Sequence, residues 1–248
     1  STGLNENKFG LTKKNCLNLI NNIKNYKNLK LECLSVHIGS QILNIKPFER
    51  TLKVLNEIIK KSKYKFKYID LGGGMGIPYE KKMNPLNLSK YNNLVQNFIS
   101  KFNCNIIFEP GRSLIGNAAV LMSKITFIKK TKKKNFVILD AGMNDLIRPA
   151  LYGSKHSIIP VRKNKKIKKK EIEFVGPICE SADKFLNLKK YQAIKENDFI
   201  LISDVGAYGM SLASNYCFRP KPAEILIDKS IIKLIRKKEN IKKLILNN

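Results

Sequence analysis

Five short segments combine backbone and side chains suited to gripping an anion and moving a proton. They are His37-Ile-Gly-Ser-Gln41, Asp70-Leu-Gly-Gly-Gly-Met-Gly76, Glu109-Pro-Gly-Arg112, Pro177-Ile-Cys-Glu-Ser181 and Gly206-Ala-Tyr-Gly209. Adjacent glycines at 72–74 let backbone N–H groups approach a phosphate more closely than side chains would permit. Glu109 supplies a carboxylate, and Gly111 with Arg112 a second anion contact. Cys179 beside Glu180 pairs a thiol with an acid, and Tyr208 sets a phenol between glycines. Arg148 and Tyr152 add a guanidinium and a phenol four residues apart. Arginine is scarce, with only six against 41 lysines, so its placement at 112 and 148 suggests recognition of carboxylate or phosphate.

Each feature has a plainer structural counterpart. The glycine run matches neither the dinucleotide spacing nor the P-loop, and alone it reads equally as a tight βα turn. Glu109 could pair with Arg112, His37 could be structural, and a free cysteine is commonly inert core.

The elements that must position these groups fall into two kinds. Up to Glu109, apolar helical spacing alternates with short strand-like runs. Helices are expected around Cys16–Ile23, Phe48–Ile59 and Leu94–Phe102, and strands at Leu31–Ile38, Tyr68–Leu71 and Ile106–Phe108. Glycine or polar residues follow the strands, as at the carboxyl edge of a parallel sheet. From Ser113 the chain is strand-rich, with candidates at Val120–Ile128, Phe136–Leu139, Ile172–Val175, Phe199–Ser203, Glu224–Ile227 and Ile231–Ile235. Asp228-Lys-Ser230 reads as a hairpin turn and Ile241–Leu246 as a short closing helix. The expected fold is therefore α/β plus β: residues 1–112 as part of a (β/α)8 barrel, and residues 113–248 as a β-sandwich or barrel-like domain. The first part supplies only about three βα units where a barrel needs eight, so the chain is expected to be a C-terminal piece of a longer protein.

Composition narrows the partners. The 248 residues carry a net charge of +28, which suits nucleic acid or an anionic surface. The charge is almost all lysine, in a chain also rich in Asn and Ile. Its densest runs, Lys129–Lys134 and Arg162–Lys170, lack interleaved aromatics for base stacking and read as solvated loops. Neither nucleic acid nor membrane is expected as a partner. Five scattered cysteines without metal spacing, and no long apolar run or leader pattern, point to a cytoplasmic protein without metal.

Taken in order, the segments resemble the fold-type III pyridoxal-phosphate decarboxylases, and within them the branch acting on diaminopimelate. The likeness runs from Ser1-Thr-Gly-Leu4 and Lys8-Phe-Gly10 to Ala223-Glu-Ile-Leu226. It implies a barrel plus a β domain, pyridoxal 5'-phosphate as cofactor, and decarboxylation of meso-2,6-diaminopimelate to L-lysine, the last step of lysine biosynthesis. It assigns Gly72, Gly73, Gly74, Ser40 and the Gly111–Arg112 backbone to the cofactor's phosphate, with Tyr208 helping, and counts Pro110 among the cofactor-binding residues. It stacks His37 on the ring and sets Glu109 against the ring nitrogen. Arg112, Arg148, Tyr152, Tyr208 and Glu180 become substrate contacts, and Cys179 the proton donor. It also implies a homodimer with shared active sites, Cys179 and Glu180 coming from the neighbouring subunit.

One departure stands out. The family's Schiff-base lysine lies on an early barrel strand, in a segment without a counterpart here. The chain alone is thus expected neither to hold the cofactor covalently nor to turn over. Competing readings are a sister decarboxylase for ornithine, arginine or a carboxylated polyamine, a non-catalytic paralogue, and a nucleic-acid binder driven by charge.

Overall fold

A computed structural model describes residues 8–80, 82–162, 164 and 166–246. By contacts the chain divides into two compact units, Ser1–Leu114 and Ile115–Asn248.

The first unit alternates helices with short parallel strands: α1 (Lys13–Asn21), β1 (Cys33–Ser35), α2 (Ile45–Ser62), β2 (Tyr68–Asp70), α3 (Leu88–Phe102) and β3 (Asn105–Ile107). The strands lie in the order β1-β2-β3 and pair in parallel, Leu34 opposite Ile69 and Ile69 opposite Ile106. Side-chain spacing explains the helices. Phe48, Leu52, Leu55, Ile58 and Ile59 form one buried face of α2, and Tyr91, Val95 and Phe98 one face of α3. The faces close over Ile69, which is fully buried, and Phe48 meets Tyr91 edge-on with ring centroids 4.7 Å apart. Each helix starts on a side-chain cap: Thr12, Asn44 and Asn87 accept hydrogen bonds from the N–H groups of Asn15, Lys46 and Lys90. The expected strand Leu31–Ile38 shortens to Cys33–Ser35, because its parallel ladder with β2 is only three residues long.

The second unit is built on a six-stranded sheet. Its strands are β4 (Leu121–Lys130), β5 (Lys134–Leu139), β6 (Ile158–Pro160), β8 (Glu171–Val175), β9 (Lys184–Leu188) and β11 (Phe199–Ile202), in the order β6-β11-β4-β5-β8-β9. All neighbours run antiparallel except β5 and β8. A ribbon of β7 (Ile167–Lys168) with β10 (Tyr191–Gln192), and a hairpin of β12 (Glu224–Asp228) with β13 (Ile231–Arg236), accompany it. Alternate residues Val137 and Leu139, Ile172 and Phe174, and Ile200 and Ile202 turn inward with Ile125 to form the core. Two helices complete the unit, α5 (Arg148–Tyr152) and α6 (Ile241–Leu246), while α4 (Arg112–Ile115) spans the division.

Lys129 and Lys130 end β4 and Lys134 begins β5, with Lys132 and Lys133 exposed in the turn between, so the first lysine run is a solvated hairpin tip. Lys168 lies in β7, while Lys163 and Lys165 lie outside the described residues. All five cysteines are free thiols. Among the described residues no helix is long and apolar enough to cross a membrane.

Candidate active site

Parallel pairing brings three loop segments of the first unit to one edge, the carboxyl ends of β1, β2 and β3. The ladder continues into these loops. Val36 N–H donates to the Asp70 carbonyl at 2.9 Å, Leu71 N–H to that of Ile107 at 3.0 Å, and Ile42 N–H to that of Gly74 at 2.9 Å. His37, the glycine turn and Glu109 are therefore neighbours. Glu109 N–H donates to the Gly72 carbonyl at 2.9 Å.

The glycines are needed for packing as much as for reach. A Cβ on Gly73 would lie 2.3 Å from the Glu109 carbonyl oxygen, and one on Gly74 would lie 2.5 Å from that of Gly39. Gly74 also has φ +90, in the region that favours glycine. The turn thus lets three strand-end loops close on one another. Gly72 spends its N–H on the Asp70 carboxylate at 2.8 Å, so it has no amide proton left for an anion.

Arg112 is buried, and its guanidinium donates to Tyr79 Oη and, at 3.2 Å, to Ser40 Oγ. It turns toward these hydroxyls, where the sequence left open a pairing with Glu109. A buried, permanently charged guanidinium tied to a serine hydroxyl is a fitting partner for a phosphate or carboxylate. Tyr79 carries no motif; only the folded proximity of the β2 loop to α4 identifies it. Glu109, His37 and Ser40 are solvent-exposed at this edge, with Pro110 and Gly111 between the acid and α4.

The second unit gathers three more of the expected residues. Arg148, buried at the start of α5, stands over the rings of Tyr152 and Tyr208, its guanidinium carbon 5.4 and 5.8 Å from their centroids. Gly206 permits the Tyr208 loop to pack, because a Cβ there would come within 1.9 Å of the Ile115 carbonyl oxygen. The other histidine, His156, is buried with Nδ1 2.9 Å from the Ser203 carbonyl oxygen.

Cys179 and Glu180 lie exposed on the loop between β8 and β9. The phenol of Tyr216 is pushed above its ordinary range chiefly by the Cys217 thiol and next by Glu180, with Cys179 contributing less. Arg219 anchors the segment after Tyr216 by donating to Asn144 Oδ1 at 3.0 Å and to the Asp140 carbonyl. Sequence reading missed Tyr216, Arg219 and Asp183. Asp183 left no local signal, because the amides that its side chain caps, Ile178 and Met143, lie before it in the chain. The motif Ser1–Leu4 lies outside the described residues.

The comparisons with known proteins agree in direction. The family described as pyridoxal-dependent decarboxylase, C-terminal sheet domain, matches residues 20–206. The chain is 39% identical to the diaminopimelate decarboxylase of Zymomonas mobilis over 98% of its own length and 58% of that protein's. For the diaminopimelate decarboxylase of Neisseria meningitidis serogroup A the identity is 41%, covering 100% of this chain and 61% of the relative. Among solved structures, diaminopimelate decarboxylase from Helicobacter pylori complexed with L-lysine aligns with a TM-score of 0.87 at 36% identity, over 98% of this chain and 61% of that one. The enzyme from M. jannaschii in co-complex with L-lysine gives 0.90 at 35% identity, over 100% and 59%. The chain spans about 60% of the length of the relatives it matches. With the family match covering most of its residues and both units, this chain belongs to the pyridoxal-dependent decarboxylases.

Proposed function

We propose that this chain is part of a carboxy-lyase that converts meso-2,6-diaminopimelate to L-lysine and carbon dioxide with pyridoxal 5'-phosphate. The observation that carries the reading is the meeting of His37, the Gly72–Gly74 turn, Glu109 and the Ser40–Arg112 pair at one strand edge. That set fits the cofactor's three demands: a cation and hydroxyl for a phosphate, an imidazole for a ring face and an acid for a ring nitrogen. The parallel strands and their helices would then form part of a (β/α)8 barrel.

When bound, the cofactor supplies an electron sink for the pair released as carbon dioxide leaves. The chain's own residues bind, orient and protonate around it. Arg112, Ser40, Gly73, Gly74 and Gly111 hold the phosphate with help from Tyr208, and Gly72 contributes by shaping the turn. Glu109 keeps a proton on the ring nitrogen. Arg148, with Tyr152 and Tyr208, receives a substrate carboxylate. Glu180 meets a substrate ammonium, and Cys179 returns a proton to the carbon that lost the carboxylate. Cys179 and Glu180 act in trans, across a two-fold dimer.

Supplying the complete protein with meso-diaminopimelate, ornithine, arginine and a carboxylated polyamine tests the reading. Carbon dioxide release from diaminopimelate alone is expected. Release from ornithine without release from diaminopimelate would reverse it.

A further inference from the structure

The loop that carries Cys179 and Glu180 is closed by one buried side chain. Asp183 is 3% exposed. Its Oδ2 accepts the Ile178 N–H at 2.8 Å, one residue before the thiol. Its Oδ1 accepts the Met143 N–H at 2.7 Å, in the turn that leads into α5 and Arg148. The backbone closes the same loop. Gly176 N–H donates to the Asp183 carbonyl, and Asp183 N–H to that of Glu180, both at 3.0 Å. The carboxylate fits only because residue 176 is glycine: a Cβ there would lie 2.2 and 2.3 Å from its two oxygens. Burial pushes this carboxyl above its ordinary range, and the two N–H groups and Arg219 oppose the shift. A desolvated carboxylate is costly unless hydrogen-bonded, so both amide bonds are held firmly.

We infer that Asp183 is the positioning residue that fixes the Cys179–Glu180 loop against the Met143 turn and so against Arg148. It touches no substrate; it acts by tying the loop that reaches the partner subunit's site to the turn that leads to Arg148 in its own chain. The effect on turnover rests on the proton-donor reading of Cys179, whereas the effect on the loop does not. Two chemically different substitutions follow from the one geometry. Asp183→Asn sets an amide N–H₂ against one of the two backbone donors. Gly176→Ala keeps the acid but displaces it.

In the complete protein, both variants should change the rate of Cys179 alkylation by iodoacetamide roughly threefold or more, with Cys179→Ser defining the background from the other thiols. Both should lower kcat about tenfold or more while KM changes less, since a small misplacement of reacting groups costs rate before binding. Cofactor absorbance should persist, and the double variant should be no slower than the slower single. Hydrogen exchange on the unaltered protein gives a check that needs no variant: the Met143 and Ile178 amides should exchange slowly and together. Alkylation within about twofold in the variants, or fast exchange at either amide, would overturn the inference. Should Cys179→Ser leave turnover intact while alkylation responds to Asp183→Asn, the proton-donor role fails and the clamp stands.

Discussion

Arg148 stands over the ring of Tyr208, guanidinium carbon to ring centroid 5.8 Å, with Tyr152 beside it. The two residues come from distant parts of the β-rich unit. Tyr208 reaches its place with φ +61, a conformation that non-glycine residues adopt at a cost of about 1–3 kcal/mol. On either side of it, Gly206 packs against Ile115 and Gly209 against Val205 so closely that neither could carry a Cβ. The result is a planar, permanently charged donor fork backed by phenol rings, which is how proteins present arginine to a carboxylate.

Arg148→Lys in the complete enzyme should therefore raise KM for diaminopimelate. A lysine keeps the charge but not the two-pronged geometry, and a charge-assisted hydrogen bond is worth about 1.5–3 kcal/mol, roughly ten- to a hundredfold in kcat/KM. Steady-state kinetics decides. An unchanged KM would remove Arg148 from the substrate contacts.

The glycines should differ sharply in what they tolerate. Gly73→Ala drives a Cβ to 2.3 Å from the Glu109 carbonyl oxygen, and Gly206→Ala drives one to 1.9 Å from that of Ile115. Backbone has little room to yield, so each should cost about 1–3 kcal/mol or more. Gly153 has φ +60 but nothing within 4 Å, leaving a conformational cost of about 1 kcal/mol. Urea unfolding should rank Gly153→Ala as the mildest of the three. Equal losses would mean that the backbone around Gly73 and Gly206 yields to a Cβ and that loop closure does not set their requirement.

Cys179→Ala should slow turnover strongly while cofactor absorbance stays intact. The thiol is exposed, and its proposed task is proton delivery rather than packing. Activity and absorbance measured on the same preparation separate these roles. Normal turnover would refute the donor assignment.

Much of this was legible in sequence where one element decides its own fate. The α2 face of Phe48, Leu52, Leu55, Ile58 and Ile59 declares itself by spacing, and β5, β8 and β11 by short apolar runs. β9 did not, because Lys184 and Asn187 break an alternation in which only Phe185 is fully buried. Nor did β6, whose three residues end in Pro160 and pair only with β11. At the site, the glycine turn and Glu109 were visible because strand-end chemistry is local. Tyr79 and Asp183 were not, since each owes its role to a partner far along the chain, Arg112 for one and Met143 for the other.

The Met143 turn carries a pH dependence whose sign can be stated. Asp145 is held above its ordinary value of 3.8 mainly by burial. The Gly142 N–H, Arg219 and Asn144 oppose the shift, and Asp140 adds slightly to it. A carboxyl whose folded pKa exceeds its unfolded one binds its proton more tightly in the folded state. Folding is therefore helped while both forms are protonated, and that help is lost as pH rises from the unfolded value through the folded one. Asp145→Asn has no such proton. The stability of the native protein relative to this variant should be greater near pH ~3.5 than near pH ~7, with the change falling between the two pKa values. Urea unfolding of both proteins across that range measures the difference. If the gap instead widens toward neutral pH, the hydrogen bonds and Arg219 outweigh burial, and Asp145 is stabilised as the anion.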